Sequence, residues 1–185
     1  ERNLGLNKKT KVAGLVIVAG SFAIATVVWT SVHTNLSFTR YNSFDSSGIL
    51  DIDFGRVGWV LFSVLVIMAV TNGVNLTDGL DGLAAGSSIF AFASFTIIGF
   101  WAFRNPLVYG VEHALDLAVV AAAMLGGCAG FLWWNAHPAK IFMGDTGSLA
   151  IGAALAGLAL TLNTMLLLPI IGALFVVETL SVIIQ

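Results

Sequence analysis

Charged residues are scarce in this chain of 185 residues. Lys, Arg, Asp and Glu together make up 10% of the sequence, whereas 58% of the residues are hydrophobic. A soluble domain carries about 25% charged residues, so this shortage excludes an ordinary water-exposed surface. The composition therefore indicates a protein that is surrounded by lipid.

Cysteine and the common nucleotide-binding motifs are also almost absent. The one cysteine, Cys128, lies in an apolar run, which excludes an intrachain disulfide and predicts a small packing residue. The sequence has no Walker glycine loop and no GxGxxG fingerprint, which argues against nucleotide binding by these two routes. It shows no clear signal-peptide cleavage site, and we expect no nucleic-acid partner.

Long uncharged runs are what the sequence does contain. Four of them, at 12–39, 57–77, 82–103 and 117–139, have no Asp, Glu, Lys or Arg, and a spanning helix needs about 20 apolar residues. The stretch 146–185 carries only Glu178 and is interrupted near Asn163 and Pro169. It predicts two helices, the first rather short.

The predicted fold class is therefore an all-α, polytopic membrane protein. We expect one integral membrane domain over 1–185 with about five transmembrane helices. The approximate segments are 12–34, 57–75, 83–103 and 117–135, followed in the last stretch by the rather short segment 147–162 and by 165–185.

The basic residues predict how these helices are oriented. Lys8, Lys9 and Lys11 precede the first run together with Arg2, and such clusters favour the cytoplasmic side of a membrane. The segments 75–84 and 135–148, and Gln185, are then cytoplasmic, while 40–56 and 104–116 lie outside.

The first polar motif, Asn75–Ala84, places two carboxylates close to hydrocarbon. Asp78 and Asp81 either share a helix face or lie in a loop, which Gly79 and Gly82 favour. A carboxylate so near to lipid is costly, which makes a paired or functional role the default. The alternative is that Asp78 or Asp81 caps the helix that begins near Leu83.

The second polar motif, at 135–148, ends in Asp145-Thr146-Gly147-Ser148 before an apolar run. The start of a helix offers free N–H groups and a positive dipole end to an anion. Because Mg²⁺ prefers one or two carboxylates together with phosphate oxygens, Asp145 is a candidate ligand in a pyrophosphate site. A plain helix-capping role is the alternative.

Four other residues of the second motif leave two interpretations open. Asn135 either contacts the base or ribose of a nucleotide or forms the polar end of a span. Phe142 either stacks on a ring or anchors in the membrane, and Lys140 either meets phosphate or extends to the interface. For His137 a solvated loop position is favoured.

Small and aromatic residues predict helix contacts and helix ends. Gly126 and Gly130 have the GxxxG spacing that lets helices approach closely in lipid, and we expect internal packing there, with a homodimer contact as the alternative. Gly152, Ala156 and Gly157 form a second small face. We expect the five tryptophans to lie at headgroup level; they are Trp29, Trp59, Trp101, Trp133 and Trp134.

Taken with their spacing, these motifs resemble the polyprenyl-phosphate N-acetylhexosamine-1-phosphate transferase superfamily, in particular its phospho-N-acetylmuramoyl-pentapeptide transferase branch. The resemblance covers essentially the whole chain. The matching text is NLTDGLDGLA at 75–84, FLWWN at 131–135, FMGDTGSLA at 142–150 and FVVETLSVIIQ at 175–185. The first and last segments are specific to this branch, whereas FMGD-x-GSL is shared across the superfamily.

The resemblance implies a reaction and a set of site residues. Phospho-MurNAc-pentapeptide would move from its UDP carrier to undecaprenyl phosphate, giving lipid I and UMP for peptidoglycan synthesis at the cytoplasmic face of the bacterial cell membrane. It places a Mg²⁺ ligand at Asp145 and a second catalytic aspartate at Asp78. The substrate-binding positions that it implies are Asn75, Gly79, Leu80, Asp81, Asn135, Phe142 and Gln185.

Two family features do not occur in this sequence. The paired-aspartate motif of an earlier helix and the histidine-rich loop of a later segment are both absent. The family has ten spans, so we expect the chain to hold about the middle five and to be inactive alone. The alternatives are a transferase for another UDP-sugar and, less favoured because the aspartates lie at one surface, an ion-coupled carrier.

Overall fold

The computed structural model describes residues 7–37 and 52–184. This part of the chain is helical and contains no strand, so the predicted all-α class is confirmed. The helices are α1 (Lys8–Trp29), α2 (Gly55–Thr77), α3 (Leu83–Arg104), α4 (Pro106–Tyr109), α5 (Ala114–Asn135), α6 (Gly144–Thr161), α7 (Leu168–Ile171) and α8 (Ala173–Ile184).

Four helices of the described part, α1, α2, α3 and α5, are long and apolar enough to cross a membrane. A helix of 22 residues is about 33 Å long, which matches the hydrocarbon core of a bilayer. Large apolar side chains cover their outer faces, among them Ile17, Leu61 and Phe90, each more than 60% exposed. These are the side chains that lipid would surround.

The last third of the chain is interrupted, as its polar residues suggested. Helix α6 has 18 residues and is followed by Asn163, which adopts a positive φ of 55°. Helix α7 carries Pro169 in its first turn, and α8 follows after Gly172. The number of membrane crossings stays a prediction. The predicted placement of Lys11 and Gln185 on the same face requires an even number of crossings, which does not agree with the predicted five.

Helix α2 is at the centre of the packing and contacts α1, α6 and α8, while α3 packs mainly against α5. The larger buried cluster includes Val74, Phe92, Phe95 and Leu155. A second cluster joins α1, α2 and α6 around Trp59. The two clusters fix α2 against α6, which carries the second polar motif.

The prediction for Trp59 is wrong. Its side chain is 0% exposed and packs inside the second cluster rather than facing the headgroups. The neighbouring small residues Ala19, Ala23 and Ala156 leave room for the indole ring. The other four tryptophans have the expected exposure of 50% or more: Trp29, Trp101, Trp133 and Trp134.

The two predicted faces of small residues differ in what they contact. A Cβ added at Gly126 or Gly130 would meet no atom of the described chain within 4 Å, so these two glycines make no close helix contact among the described residues. By contrast, Gly152 lies against Thr71 and Gly157 lies against the ring of Phe22. A homodimer contact on α5 stays a prediction.

Contacts at the two ends of the bundle relate the helices to one another. At one end, Lys11 of α1 reaches Asp145 of α6. At the other end, the ring of His33 lies 3.0 Å from the carbonyl oxygen of Gly110. Near it, Asn35 and Asp53 form one antiparallel bridge; most of the polar loop at 40–56 lies outside the described residues.

Cysteines introduced at positions 78 and 145 of the full-length protein, in a cysteine-free background, should react with the same membrane-impermeant reagent from the same side. The reason is that both positions follow or begin helices at the end where Lys11 lies. Labelling of intact cells and of inverted vesicles checks this, with Asp116→Cys at the opposite end as the control. Labelling of positions 78 and 145 from opposite sides would contradict the arrangement.

Candidate active site at the polar end of the bundle

Asp78 lies in the loop that joins α2 to α3. Helix α2 ends at Thr77, and the backbone N–H of Asp78 still donates to the carbonyl oxygen of Val74 at 3.1 Å. The turn finishes at Gly82, whose φ of 77° favours glycine, and a Cβ there would lie 3.2 Å from Leu132 Cδ1. The loop interpretation of this motif therefore holds.

Asp145 lies in the first turn of α6 with its side chain 67% exposed. One carboxylate oxygen accepts a hydrogen bond from Asn75 Nδ2 at 2.9 Å, and the other accepts from Lys11 Nζ at 2.7 Å. The residue before the helix is Met143, and no side-chain cap is formed. Asp145 therefore binds other elements instead of capping its own helix.

Asn75 also connects α2 to a buried hydroxyl of α6. Its Nδ2 lies 2.7 Å from Ser148 Oγ, and Ser148 is 0% exposed. The same hydroxyl donates to the carbonyl oxygen of Gly144 at 3.1 Å. Asn75 is thus held by a buried partner and in turn holds the carboxylate of Asp145.

The two aspartates have opposite electrostatic environments. Burial, and then the negative charge of Asp145, raise the pKa of Asp78. Hydrogen bonds from Lys11 and Asn75, together with the charge of Lys11, lower the pKa of Asp145. A pair of carboxylates whose pKa values are pushed apart is typical of sites where one group stays ionised and the other transfers a proton.

Asp81 connects the first loop to the second. Its Oδ2 lies 3.2 Å from His137 Nδ1 and accepts from the backbone N–H of Ala139 at 3.1 Å. The residue before α3 is Gly82, so Asp81 does not cap that helix. His137 contacts Asp81 although its side chain is 83% exposed.

Asn135 joins the same two loops from the other side. Its Oδ1 accepts from the backbone N–H of Gly82 at 3.1 Å, and its Nδ2 donates to the carbonyl oxygen of Ile141 at 2.9 Å. The residue is only 4% exposed. In this arrangement Asn135 shapes the loops, and its contact with a uridine stays a prediction.

The remaining predicted positions form an exposed rim. Phe142 is 79% exposed and Leu80 is 68% exposed, and Gly79 is exposed beside Leu80. The ammonium group of Lys140 lies 5.3 Å from the centre of the Trp134 ring, an arrangement typical of cation–π contacts. Gln185 lies outside the described residues.

Two residues of the site were not assigned to it from the sequence. Lys11 was used only to orient the chain, although a lysine at the start of a neighbouring span was a signal that it could reach an acidic group. Ser148 lies one helical turn after Asp145, a spacing that places both side chains on one helix face. Their contacts to Asp145 and Asn75 make them part of the site.

The donor set fits a metal that is shared with a phosphate better than a closed metal cage. Among the described residues, no group of three or more His, Cys, Asp or Glu side chains is placed to hold a metal ion. Asp145 is exposed, and Asp78 lies close enough that the charge of Asp145 raises the pKa of Asp78. One or two carboxylates are what Mg²⁺ uses when substrate phosphates complete its shell.

These features define a multi-pass membrane protein with an acidic site at one end of its helices. Residues 3–163 match the family model described as glycosyl transferase family 4. The match covers most of the chain, and the chain therefore belongs to this family.

Curated relatives give a closer comparison. The chain is 50% identical over 206 residues to the phospho-N-acetylmuramoyl-pentapeptide-transferase of Streptomyces griseus, and 48% identical over 201 residues to that of Corynebacterium kroppenstedtii. The protein of the same name from Rhodococcus opacus is 48% identical over 192 residues. All of this chain is covered, but it spans only 53–54% of the length of these relatives.

Proposed function

We propose that the full-length protein transfers phospho-MurNAc-pentapeptide from UDP-MurNAc-pentapeptide to undecaprenyl phosphate, forming lipid I and UMP at the cytoplasmic face. The observation that carries the proposal is the geometry of the acidic site: the exposed Asp145 carboxylate is held by Lys11 Nζ at 2.7 Å and Asn75 Nδ2 at 2.9 Å, and Asp78 lies in the loop that follows the helix of Asn75. The names of the relatives support the choice of substrates.

Asp145 is the proposed ligand of Mg²⁺. Its carboxylate is exposed, is held ionised and lies at the start of α6, where the helix dipole also favours anions. When bound, Mg²⁺ would neutralise the negative charge of the pyrophosphate. Lys11 would lie beside the same phosphates as a second positive charge.

Asp78 is the proposed group for taking up a proton. Its raised pKa brings it nearer to neutral pH than an ordinary aspartate, and proton transfer is efficient when the pKa of the base lies close to the working pH. A phosphate monoester has a second pKa of about 6. Asp78 would therefore keep the acceptor phosphate ionised for attack on the sugar-linked phosphorus.

The exposed rim is the proposed nucleotide site. The ring of Phe142 is available to stack on a base, and the backbone at Gly79 and Leu80 faces the same end. Asn135 and Asp81 hold the two loops that carry these residues. Their proposed role is thus to fix the rim.

A large apolar cavity is the proposed site of the polyprenyl chain. It has a volume of about 500 Å³ and lies between α2, α8 and the segment 165–172; its lining includes Val66, Phe175 and Leu180. Gly73 also lines it, and five residues of helix separate Gly73 from Asp78, about 8 Å. A lipid chain in this cavity would bring its phosphate to the acidic site.

A transfer assay tests the proposed function. The purified full-length protein, supplied with UDP-MurNAc-pentapeptide, undecaprenyl phosphate and Mg²⁺, should release UMP and form the polyprenyl-linked product. UDP-N-acetylglucosamine in a parallel reaction tests the alternative donor. Product from UDP-N-acetylglucosamine alone would favour the alternative transferase, and no product from either donor would refute both.

Removal of the Phe142 ring should weaken binding of the nucleotide. Phe142→Ala in the full-length protein is expected to reduce the affinity for UMP and for the UDP donor by about 1–3 kcal/mol, by analogy with base stacking on aromatic side chains. Affinity for the lipid phosphate should stay unchanged, because no carboxylate is altered. Calorimetric titration with UMP measures the effect.

Phe90→Ala is the matched control for Phe142→Ala, since Phe90 is also a strongly exposed phenylalanine but lies within α3 rather than in the loops of the exposed rim. It should leave the affinity for UMP unchanged. Equal losses for UMP and lipid phosphate in Phe142→Ala would show that Phe142 supports folding or membrane attachment instead.

A further inference from the structure

Helices α2 and α6 touch through their backbones at Thr71 and Gly152. A Cβ added to Gly152 would lie 2.5 Å from Thr71 Cα, 3.0 Å from Thr71 N and 3.0 Å from the carbonyl oxygen of Val70. All three atoms belong to the backbone, so no side-chain rotation can make room for it. Only glycine allows this approach of the two helices.

This contact lies at the same distance along both helices from the two aspartates. Seven residues separate Thr71 from Asp78, and seven separate Asp145 from Gly152, which is about 10 Å or two turns of helix in each case. The helices run in opposite directions here, because Asp78 follows the end of α2 and Asp145 begins α6.

A line of contacts connects the backbone crossing to the aspartates. Thr71 and Asn75 share one face of α2, and Asp145, Ser148 and Gly152 share one face of α6, by their spacing of three or four residues. The bond from Asn75 to Ser148 at 2.7 Å and the bond from Asn75 to Asp145 at 2.9 Å lie between these faces.

We propose that Gly152 and Ser148 are positioning residues that set the separation of Asp78 and Asp145. Gly152 fixes how closely the two helices approach, and Ser148 fixes the amide of Asn75 that holds the Asp145 carboxylate. Neither residue touches the reacting groups. The inference rests on the proposed function for its meaning, but the geometry of the two helices can be tested separately.

The main test compares two glycines at close helix contacts in the full-length protein. Gly152→Ala separates α2 from α6. Gly99→Ala is the matched control, because its Cβ would lie 3.0 Å from Ala118 Cβ and 3.1 Å from the carbonyl oxygen of Ala114 in the α3–α5 contact. Both should lower the Tm, which is measured in detergent beside kcat and KM.

The expected result is a loss of kcat by about 100-fold in Gly152→Ala, since a misplacement of about 1 Å has this effect on catalysis. The KM for the UDP donor should change by less than about threefold, because hydrogen bonds of Asn135 and Asp81 hold the loops of the exposed rim together independently of the α2–α6 contact. Gly99→Ala should keep kcat within about threefold of the wild type. Equal losses of kcat in both variants would overturn the proposal.

Ser148→Ala tests the second positioning residue without adding any atom. Its affinity for Mn²⁺, measured by electron paramagnetic resonance in the presence of UMP, should fall by about tenfold, as is usual when a group that supports a metal ligand is removed. Ser87→Ala is the control, since Ser87 Oγ bonds to the carbonyl oxygen of Leu83 in its own helix and to no other helix among the described residues. An unchanged affinity in Ser148→Ala would overturn the role of Ser148.

Cross-linking supplies a readout that needs neither activity nor metal. The pair Asn75→Cys and Ser148→Cys should form a disulfide under mild oxidation, because the two native side chains are in contact. Adding Gly152→Ala should reduce the yield of the linked peptides, as detected by mass spectrometry. An unchanged yield would overturn the role of Gly152, whereas inactivity of the wild-type protein would instead refute the proposed function.

Discussion

Asp145→Asn in the full-length protein is expected to reduce the turnover of transfer by about 1000-fold, which corresponds to about 4 kcal/mol of lost transition-state stabilisation. The change removes the exposed carboxylate that Lys11 and Asn75 hold in place. It also leaves Lys11 without its acidic partner. The rate of UMP release at saturating substrate measures the effect.

The control for this prediction is Asp116→Asn, the same substitution at the opposite end of the bundle. Asp116 has its side chain 79% exposed and lies 3.4 Å from the ring of His113, far in the fold from the acidic site. It should leave turnover unchanged. If Asp145→Asn kept its turnover within about tenfold of the wild type, roughly 1.4 kcal/mol, the role of Asp145 as a metal ligand would be wrong.

Asp78→Asn should reduce turnover by about 100-fold to 10,000-fold, the usual contribution of a general acid or base. An asparagine keeps the size of the side chain but cannot take up a proton. The KM for the UDP donor should change little, because Asp78 is not part of the exposed rim. Steady-state kinetics with both substrates separates the two effects.

The pH dependence of the wild-type enzyme provides a second test of Asp78. Because burial and the charge of Asp145 raise the pKa of Asp78, kcat/KM should fall on the acid side at a higher pH than for an ordinary aspartate. In metal-free Asp145→Asn one of the two causes is gone, so the pKa of the Asp78 carboxyl, followed by NMR, should be lower than in the metal-free wild type. An equal pKa of Asp78 in the two metal-free proteins would show that the charge of Asp145 does not act on Asp78.

The two pKa shifts make the folding stability depend on pH in opposite directions. The raised pKa of Asp78 means that its contribution to stability is present at low pH and is lost as the pH rises through its folded pKa. The lowered pKa of Asp145 means that its contribution is present above the ordinary pKa of an aspartate and is lost as the pH falls through its folded pKa. Solvent screens the exposed Asp145, so its effect should be small.

The all-α fold could be predicted from the sequence because lipid leaves few alternatives. A bilayer provides no hydrogen bonds to backbone groups, so long uncharged runs form helices. The breaks at Asn163 and Pro169 and the polar loop at Asp78 were predicted for the same reason, since they interrupt the apolar pattern. These features depend on local sequence alone.

The contacts within the site depend on how the helices pack, which local sequence does not specify. Lys11 and Asp145 are 134 residues apart in the chain, and their bond requires α1 and α6 to lie on adjacent sides of α2. The burial of Trp59 likewise depends on small residues of α1 and α6. The amide of Asn135 is likewise bonded to two segments that lie apart in the sequence, whereas its contact with a nucleotide stays a prediction.

The central claim is that Asp145, beside Asp78, binds a divalent cation together with the substrate phosphates. A titration of the full-length protein with Mn²⁺ in the presence of UMP, followed by electron paramagnetic resonance, tests it most directly. The wild type and Asp116→Asn should bind the ion with equal affinity, and Asp145→Asn should lose that binding. Equal binding of Mn²⁺ by Asp145→Asn and the wild type would contradict the claim.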